Sequence, residues 1–182
     1  MSANLNQAEF KQAMRGQWND AASGWNESSA VIRPWLLSST RAMLKMAGIS
    51  KGMRVLDVAA GAGDQTLDVA ALVGAPGSVV ATDLSPAILE FAGANAAKAG
   101  FSHVETVTAD CEALPFADEA FDAAVCRLGL MFLPDPLKGL QEIHRVLKPG
   151  AHLCTLVFAS VEANPCLRIL MSTALQYAAL PP

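Results

Sequence analysis

Charge is scarce in this chain. Asp, Glu, Lys and Arg make up only 16% of its 182 residues, against 52% hydrophobic ones. That balance excludes a disordered chain, which stays unfolded through low hydrophobicity and high charge, and it implies strands buried on both faces of a sheet. The net charge of −4, with no basic cluster, gives no electrostatic footprint for nucleic acid, so no nucleic-acid partner is expected. No uninterrupted apolar run approaches the ~18 residues of a membrane span. The opening "MSANLNQAEFKQAMRG" has no apolar core of signal-peptide type. A cytoplasmic protein without a membrane span is the expectation. Cysteine is present but unpaired in pattern: Cys111, Cys126, Cys154 and Cys166 lie 15, 28 and 12 residues apart, with no CxxC, and His103, His144 and His152 lack ligand spacing such as HExxH. No metal site is expected, and the thiols read as reduced core residues. Repeats and low-complexity segments are also missing. At this length the chain builds one domain with a sizeable core.

Strand and helix signals alternate. Residues 8–22 and 31–47 read as helices, the second ending at Gly48. "GMRVLDVAA" is a first strand, residues 64–73 a helix stopped by Gly74, and "GSVVATD" a second strand. "SPAILEFAGANAAKAG" is a helix with Ser85 as N-cap, Pro86 at its first position and Gly100 past its end. "HVETVTAD" is a third strand and "FDAAVCRLG" a fourth, with a loop at "LPFADEA". "DPLKGLQEIHRVLKPG" reads as a helix capped by Asp135, with Leu137, Leu140, Ile143 and Leu147 as its apolar face, and "AHLCTLVFA" as a fifth strand. A last helix starts at Asn164–Pro165. This alternation predicts an α/β fold, a doubly wound parallel sheet with helices on both faces and ligands bound outside the carboxyl ends of the strands.

Those ends carry the polar residues. The first strand ends near Asp57, the second at Asp83, the third at Asp110 and the fourth at Arg127. Singly, an aspartate after a strand has an ordinary explanation in turn chemistry, and Arg127 in a snorkelling surface side chain. On successive strands the pattern points to one crevice. The turn after the first strand, "GAGDQT", approaches the dinucleotide fingerprint GxGxxG, with Asp83 twenty residues beyond Gly63 where a ribose-binding acid belongs. Yet branched Thr66 stands where close helix packing wants glycine. The turn carries Asp57 and Asp64 and no lysine or arginine, an arrangement that repels a pyrophosphate. No GxxxxGK[ST] string exists either, which excludes a P-loop. The acids favour a ligand with a nucleoside and a cation but no phosphate.

With "VLDVAAGAG", "VVATDLSPAIL", "ADCEALPFADEAFDAAVCRLGL" and "HRVLKPGAHLCTLVF" in this order over roughly residues 10–160, the sequence resembles the class I S-adenosylmethionine-dependent methyltransferases, and among them the ubiquinone and menaquinone C-methyltransferase branch. The resemblance implies a Rossmann-like sheet of strand order 3-2-1-4-5 and S-adenosylmethionine as cofactor, with S-adenosylhomocysteine as product. It implies that the backbone at Ala59, Gly61 and Gly63 approaches the methionine part, and that Asp57 orders that loop and binds the ammonium. Asp83 then takes the ribose hydroxyls, Leu84 packs on the adenine, Asp110 accepts the adenine amine and the Cys111 N–H faces a ring nitrogen. Arg127 and Leu128 fall beside the sulfonium. Ala59 departs from the family's first glycine. The resemblance also places an aromatic of the N-terminal segment over the cofactor, for which Trp18 and Trp25 are the candidates; Trp35 reads as an anchor packing its helix on the sheet.

Methyl transfer from a sulfonium is an in-line displacement that needs proximity and alignment and no dedicated nucleophile. No catalytic side chain is therefore assigned. His103 and His152 begin strands, away from the crevice, and His144 lies inside a helix, so all three read as structural. The implied partner is a small-molecule methyl acceptor, quinone-like or otherwise apolar by analogy with the branch. Two other readings stay open: an NAD-dependent oxidoreductase, and a nucleoside-binding fragment without turnover. Residues 1–48 are expected to form a helical cap or lid, 49–160 the cofactor-binding domain, and 161–182 a C-terminal helix that starts a truncated region. The family's terminal strand hairpin is expected to be missing: about 20 residues follow the fifth strand, reading as a helix to about Ala179 and then "LPP". That leaves the fifth strand as an open apolar edge, covered by a second copy of the chain in a homodimer, by the last helix, or by nothing. Poor turnover is expected even where cofactor binds.

Overall fold

Val55, Leu56 and Val58 are lost to water on both faces of the first strand, β1 (Arg54–Val58), because this strand runs through the centre of the sheet. The computed structural model describes residues 6–177. On one side of β1 lie β2 (Ser78–Asp83) and β3 (Val104–Thr108), and on the other β4 (Phe121–Arg127) and β5 (Leu147–Leu156). All neighbours are parallel, in the order β3-β2-β1-β4-β5 that the family resemblance implies. The order reverses between β1 and β4, and this switch point opens the crevice at the carboxyl ends of the strands.

Side chains alternate between two cores, as the period of a strand requires. Val55, Val79, Ala123 and Val125 face α3 (Asp64–Val73) and Met43 and Leu44 of α2 (Ser29–Met46). Leu56, Val58, Phe121 and Ala124 face Ile143 and Val146 of α5 (Pro136–Val146). The remaining crossover helix is α4 (Pro86–Lys98), capped as expected by the Ser85 hydroxyl, which accepts from the Ile88 N–H at 3.2 Å. The same hydroxyl donates to Asn19 Oδ1 at 2.6 Å and so fastens α1 (Gln7–Glu27) across the crevice.

Three expectations change. The first helix runs on to Glu27 and the second begins at Ser29, so "SGWNESSA" is helical apart from the one-residue turn at Ser28. The helix α5 ends at Val146, and "LKPGAHLCTL" is all strand, with a register irregularity between Phe121 and Ala123 of its partner. Its buried face is accordingly Gly139, Ile143 and Val146, while Leu137 and Leu140 are exposed. The last helix, α6 (Pro165–Tyr177), buries none of its residues, so it does not cover the edge of β5. The expected ending near Ala179 and "LPP" lies outside the described residues.

Ile143 is fully buried against the β1 and β4 side chains. Ile143→Ala is expected to lower unfolding free energy by about 2–5 kcal/mol. Leu137→Ala, on the exposed flank, changes it by about 0.5 kcal/mol or less. Urea unfolding of the two variants checks this; equal losses would put α5 in a different rotation on the sheet.

Candidate functional site

The turn after β1 is held from below by Asp57. This aspartate is fully buried, and its two oxygens accept from Gln65 Nε2 at 2.9 Å and Thr66 Oγ1 at 2.6 Å in the first turn of α3. Thr66 therefore stands where the dinucleotide pattern wants glycine because its hydroxyl ties strand to helix. The Thr82 hydroxyl donates to the Asp57 carbonyl at 3.2 Å and the Ala60 N–H to the Thr82 carbonyl at 2.9 Å, which fastens the turn to β2.

Within the turn, Ala59, Gly61 and Gly63 all have positive φ, of 53°, 59° and 91°. Ala59 thus adopts the left-handed conformation despite its Cβ, and the space comes from Gly129: a Cβ there would lie 2.4 Å from that of Ala59. Gly63 faces α4, where a Cβ would meet Ala92 at 3.0 Å, so it serves helix packing and does not line the cavity. Asp57 does not line it either. Ala59, Ala60 and Gly61 do.

Above the turn is a cavity of about 320 Å³ with mostly apolar walls, and it gathers Trp18, Asp83, Leu84, Asp110, Cys111, Arg127 and Leu128. Asp83 accepts from the Gly61 N–H and the Ser85 N–H, each at 3.0 Å. Burial pushes its carboxyl above the usual range, against the pull of those N–H groups. Leu128 has a φ of 61°, a strained conformation of the kind that gathers at functional sites. Arg127 is buried and does not snorkel: Nη1 donates to Thr40 Oγ1 at 3.1 Å, and Nη2 lies 3.7 Å from Asp64. The thiols of Cys111 and Cys126 are both pushed up to about 12 by burial, so neither is a nucleophile at neutral pH. His103 binds the Ala70 carbonyl at 3.0 Å, a structural contact remote from the cavity.

Sequence reasoning missed Lys11. Its ammonium donates to Asp110 Oδ2 and to Glu112 Oε2, both at 2.7 Å. Burial pulls Lys11 down, but the bonds to these carboxylates outweigh it and hold the ammonium above its ordinary value. Glu112 is itself buried and accepts from the Asp135 N–H at 3.0 Å, joining α1, the β3 end and the start of α5. A lysine 99 residues from its partner leaves no local signal in the sequence. Trp18 and Trp25, the aromatic candidates of the N-terminal segment, both line the cavity. Trp18 packs edge-on to Trp25 and to Phe132, with centroids 5.4 and 5.5 Å away, so α1 reaches over to the loop after β4. Trp35 is not the anchor expected: it is 63% exposed and stacks on Phe158 at the cavity wall.

Burial raises the Asp57 carboxyl from 3.8 to about 6, opposed by the bonds from Thr66 and Gln65 and by the Arg127 charge. Ionising it costs the folded state, so its contribution to stability is full below about pH 4 and is lost as pH rises through about 6. Asp57→Asn has no such dependence. The stability of wild type relative to Asp57→Asn should therefore fall by roughly 2 kcal/mol between pH 4 and pH 7. Denaturant titrations at several pH values measure it, and a flat difference would show that Asp57 ionises freely in the fold.

Comparison with known proteins agrees with this geometry. Residues 35–178 match the profile of the ubiE/COQ5 methyltransferase family. The chain is 36% identical over 147 residues to the ubiquinone/menaquinone biosynthesis C-methyltransferase UbiE of Marinomonas sp., covering 80% of this chain and 55% of that protein. It spans about half the length of the curated relatives it matches. Among solved structures it is similar to a SAM-dependent methyltransferase from Aquifex aeolicus, with TM-score 0.60 and 33% identity, covering 64% of this chain and 62% of that one. It is also similar to the [4+2]-cyclase SpnF, with TM-score 0.61 and 31% identity over 65% of this chain and 43% of that one. Five parallel strands in this order, an acid-bearing glycine turn and a continuous match over most of its length place the chain in the ubiE/COQ5 methyltransferase family.

Proposed function

We propose that the crevice binds S-adenosylmethionine and that the chain serves transfer of its methyl group to a small apolar acceptor. The observation that carries this reading is Asp83. It stands at the end of β2 inside the cavity and is fixed by the Gly61 N–H, beside a glycine turn that offers a phosphate no cation. The two cations that line the cavity, Lys11 and Arg127, already face carboxylates. A ribose diol suits Asp83, whose ionised oxygens keep lone pairs for two hydroxyls. A pyrophosphate on this turn would sit against Asp64 at short range, which disfavours NAD.

The residues present fit the cofactor. Leu84, Asp110 and Cys111 lie at the β2 and β3 ends, where the adenine would rest. Lys11 would share an oxygen of Asp110 with the adenine amine. Ala59, Ala60 and Gly61 would meet the methionine part, with Asp57 and Gly63 holding that turn from behind. Trp18, Arg127 and Leu128 would surround the sulfonium, and the faces of Trp18 and Trp25 are suited to a cation. When bound, the cofactor supplies a methyl group on a good leaving sulfur. The chain's part is to orient the two reactants and exclude water, which is the larger share of the barrier lowering in such a displacement. Helices α1 and α2, within residues 1–48, would act as the cap over a cofactor unit at 49–160. The acceptor would enter between Trp35, Leu36, Met131 and Phe158, an apolar wall suited to the quinone precursors that the relatives' names suggest. Among the described residues β5 is an edge strand, and that edge would suit pairing with a second copy.

Asp83→Asn keeps the shape and one acceptor for the Gly61 N–H but removes the charge. S-Adenosylhomocysteine binding by calorimetry should weaken by about 1.5–3 kcal/mol, or roughly 10- to 150-fold. Unchanged affinity would remove Asp83 from the cofactor site and with it the main support for this reading.

A further inference from the structure

Three carboxylates line the cavity: Asp64, Asp83 and Asp110. Both oxygens of Asp83 and of Asp110 accept hydrogen bonds. Asp64 differs. Its side chain is only 8% exposed, and its Oδ2 is buried with no hydrogen-bond partner. The Arg127 guanidinium at 3.7 Å balances its charge but is too distant to donate a hydrogen bond. The Nη1 of that guanidinium is committed to Thr40. A buried acceptor left without a donor is costly, the more so when ionised, and the side chain that carries it belongs to a residue of the cavity wall, so a molecule in the cavity is the source of the missing donor.

The position says which ligand. Asp83 and Asp110, the acids suited to ribose and adenine, stand at the ends of β2 and β3. Asp64 opens α3 on the other side of the turn, facing Arg127 at the end of β4, which in turn donates to Thr40 on α2. On that side the wall continues as Trp35 and Leu36 of α2 and Phe158 beyond β5, which is apolar. We infer that Asp64 is a specificity-determining residue of the acceptor lobe: it accepts a hydrogen bond from an O–H or N–H carried by the methyl acceptor. Arg127, braced by Thr40, is a positioning residue for that carboxylate. This rests on the methyltransferase reading and adds to it a selection rule. A molecule with an apolar body and a neutral hydrogen-bond donor is favoured; the same body with the donor blocked, or carrying an anionic group at that point, is not.

The probes are 4-nitrophenol and 4-nitroanisole, which share a ring and differ in O–H against O–CH3. Each is titrated into the chain saturated with S-adenosylhomocysteine, at a pH low enough to keep the phenol neutral. Wild type should prefer the phenol by at least about tenfold, the worth of one hydrogen bond to a charged group. Asp64→Leu should erase the preference while keeping affinity for S-adenosylhomocysteine within about threefold, and Thr40→Val should reduce it. Equal binding of the two probes by wild type, or no binding of either, overturns the assignment with no need of a variant. So does a loss of tenfold or more in S-adenosylhomocysteine affinity in Asp64→Leu, which gives Asp64 to the cofactor. Failure of wild type to bind S-adenosylhomocysteine at all sinks the methyltransferase reading itself, a separate result.

Discussion

A carboxylate without water, satisfied by two side chains of the helix that follows it, is the constraint on which the crevice depends. Asp57 joins the end of β1 to Gln65 and Thr66, and its carbonyl is joined to Thr82 of β2. Between these fixed points the chain has only Val58 to Gly63 in which to reverse. It does so with three residues at positive φ, one of them an alanine. Strain of this kind persists only where the surroundings over-determine it. Here they do: Gly129 makes room for Ala59, Ala92 packs against Gly63, and Asn95 Nδ2 donates to the Ala62 carbonyl at 3.0 Å. The outcome is a turn whose upper surface, Ala59 to Gly61, meets the cavity as bare backbone.

Around that turn the charges come in opposed sets inside an apolar enclosure. Lys11 sits between Asp110 and Glu112, and Arg127 between Asp64 and Thr40. Each set joins the sheet to one of the N-terminal helices, α1 through Lys11 and α2 through Thr40. The helices that roof the cavity are thus fastened by polar contacts at its rim as well as by the Trp18, Trp25 and Phe132 edges. Buried pairs add little net stability, because desolvation offsets their attraction, but breaking one partner is costly. They fix where the roof sits. Of the buried charged side chains among the described residues, Asp64 and Arg127 line the cavity, while Asp57 and Glu112 stand behind its wall.

The sheet was legible in the sequence because parallel strands buried on both faces write themselves as continuous apolar runs, and Ser85–Pro86 and Asp135–Pro136 mark helix starts by local chemistry alone. The strand-end polar residues were legible for the same reason at Asp83 and Arg127, which each close such a run, whereas Asp110 follows the more polar β3. Long-range pairings were not. Nothing near Lys11 announces Asp110, and nothing in "HRVLKPG" announces that Leu147 leaves the helix to pair with Phe121. Asp57 and Gly63 were placed correctly along the chain but given too direct a part. Both lie behind the turn, one as an anchor and the other as a packing contact, because side-chain direction depends on φ values that spacing does not reveal. Trp35 erred in the opposite direction, since an aromatic that anchors and one that lines a wall carry the same hydrophobic signal.

The proposed cofactor site, suited to a nucleoside carrying a cationic sulfur and not to a dinucleotide, is tested by equilibrium titration of the one chain with S-adenosylmethionine, S-adenosylhomocysteine and NAD. The first two should bind saturably at micromolar concentration, in competition with each other, with no measurable binding of NAD. Preference for NAD, or binding of none of the three, would refute that site.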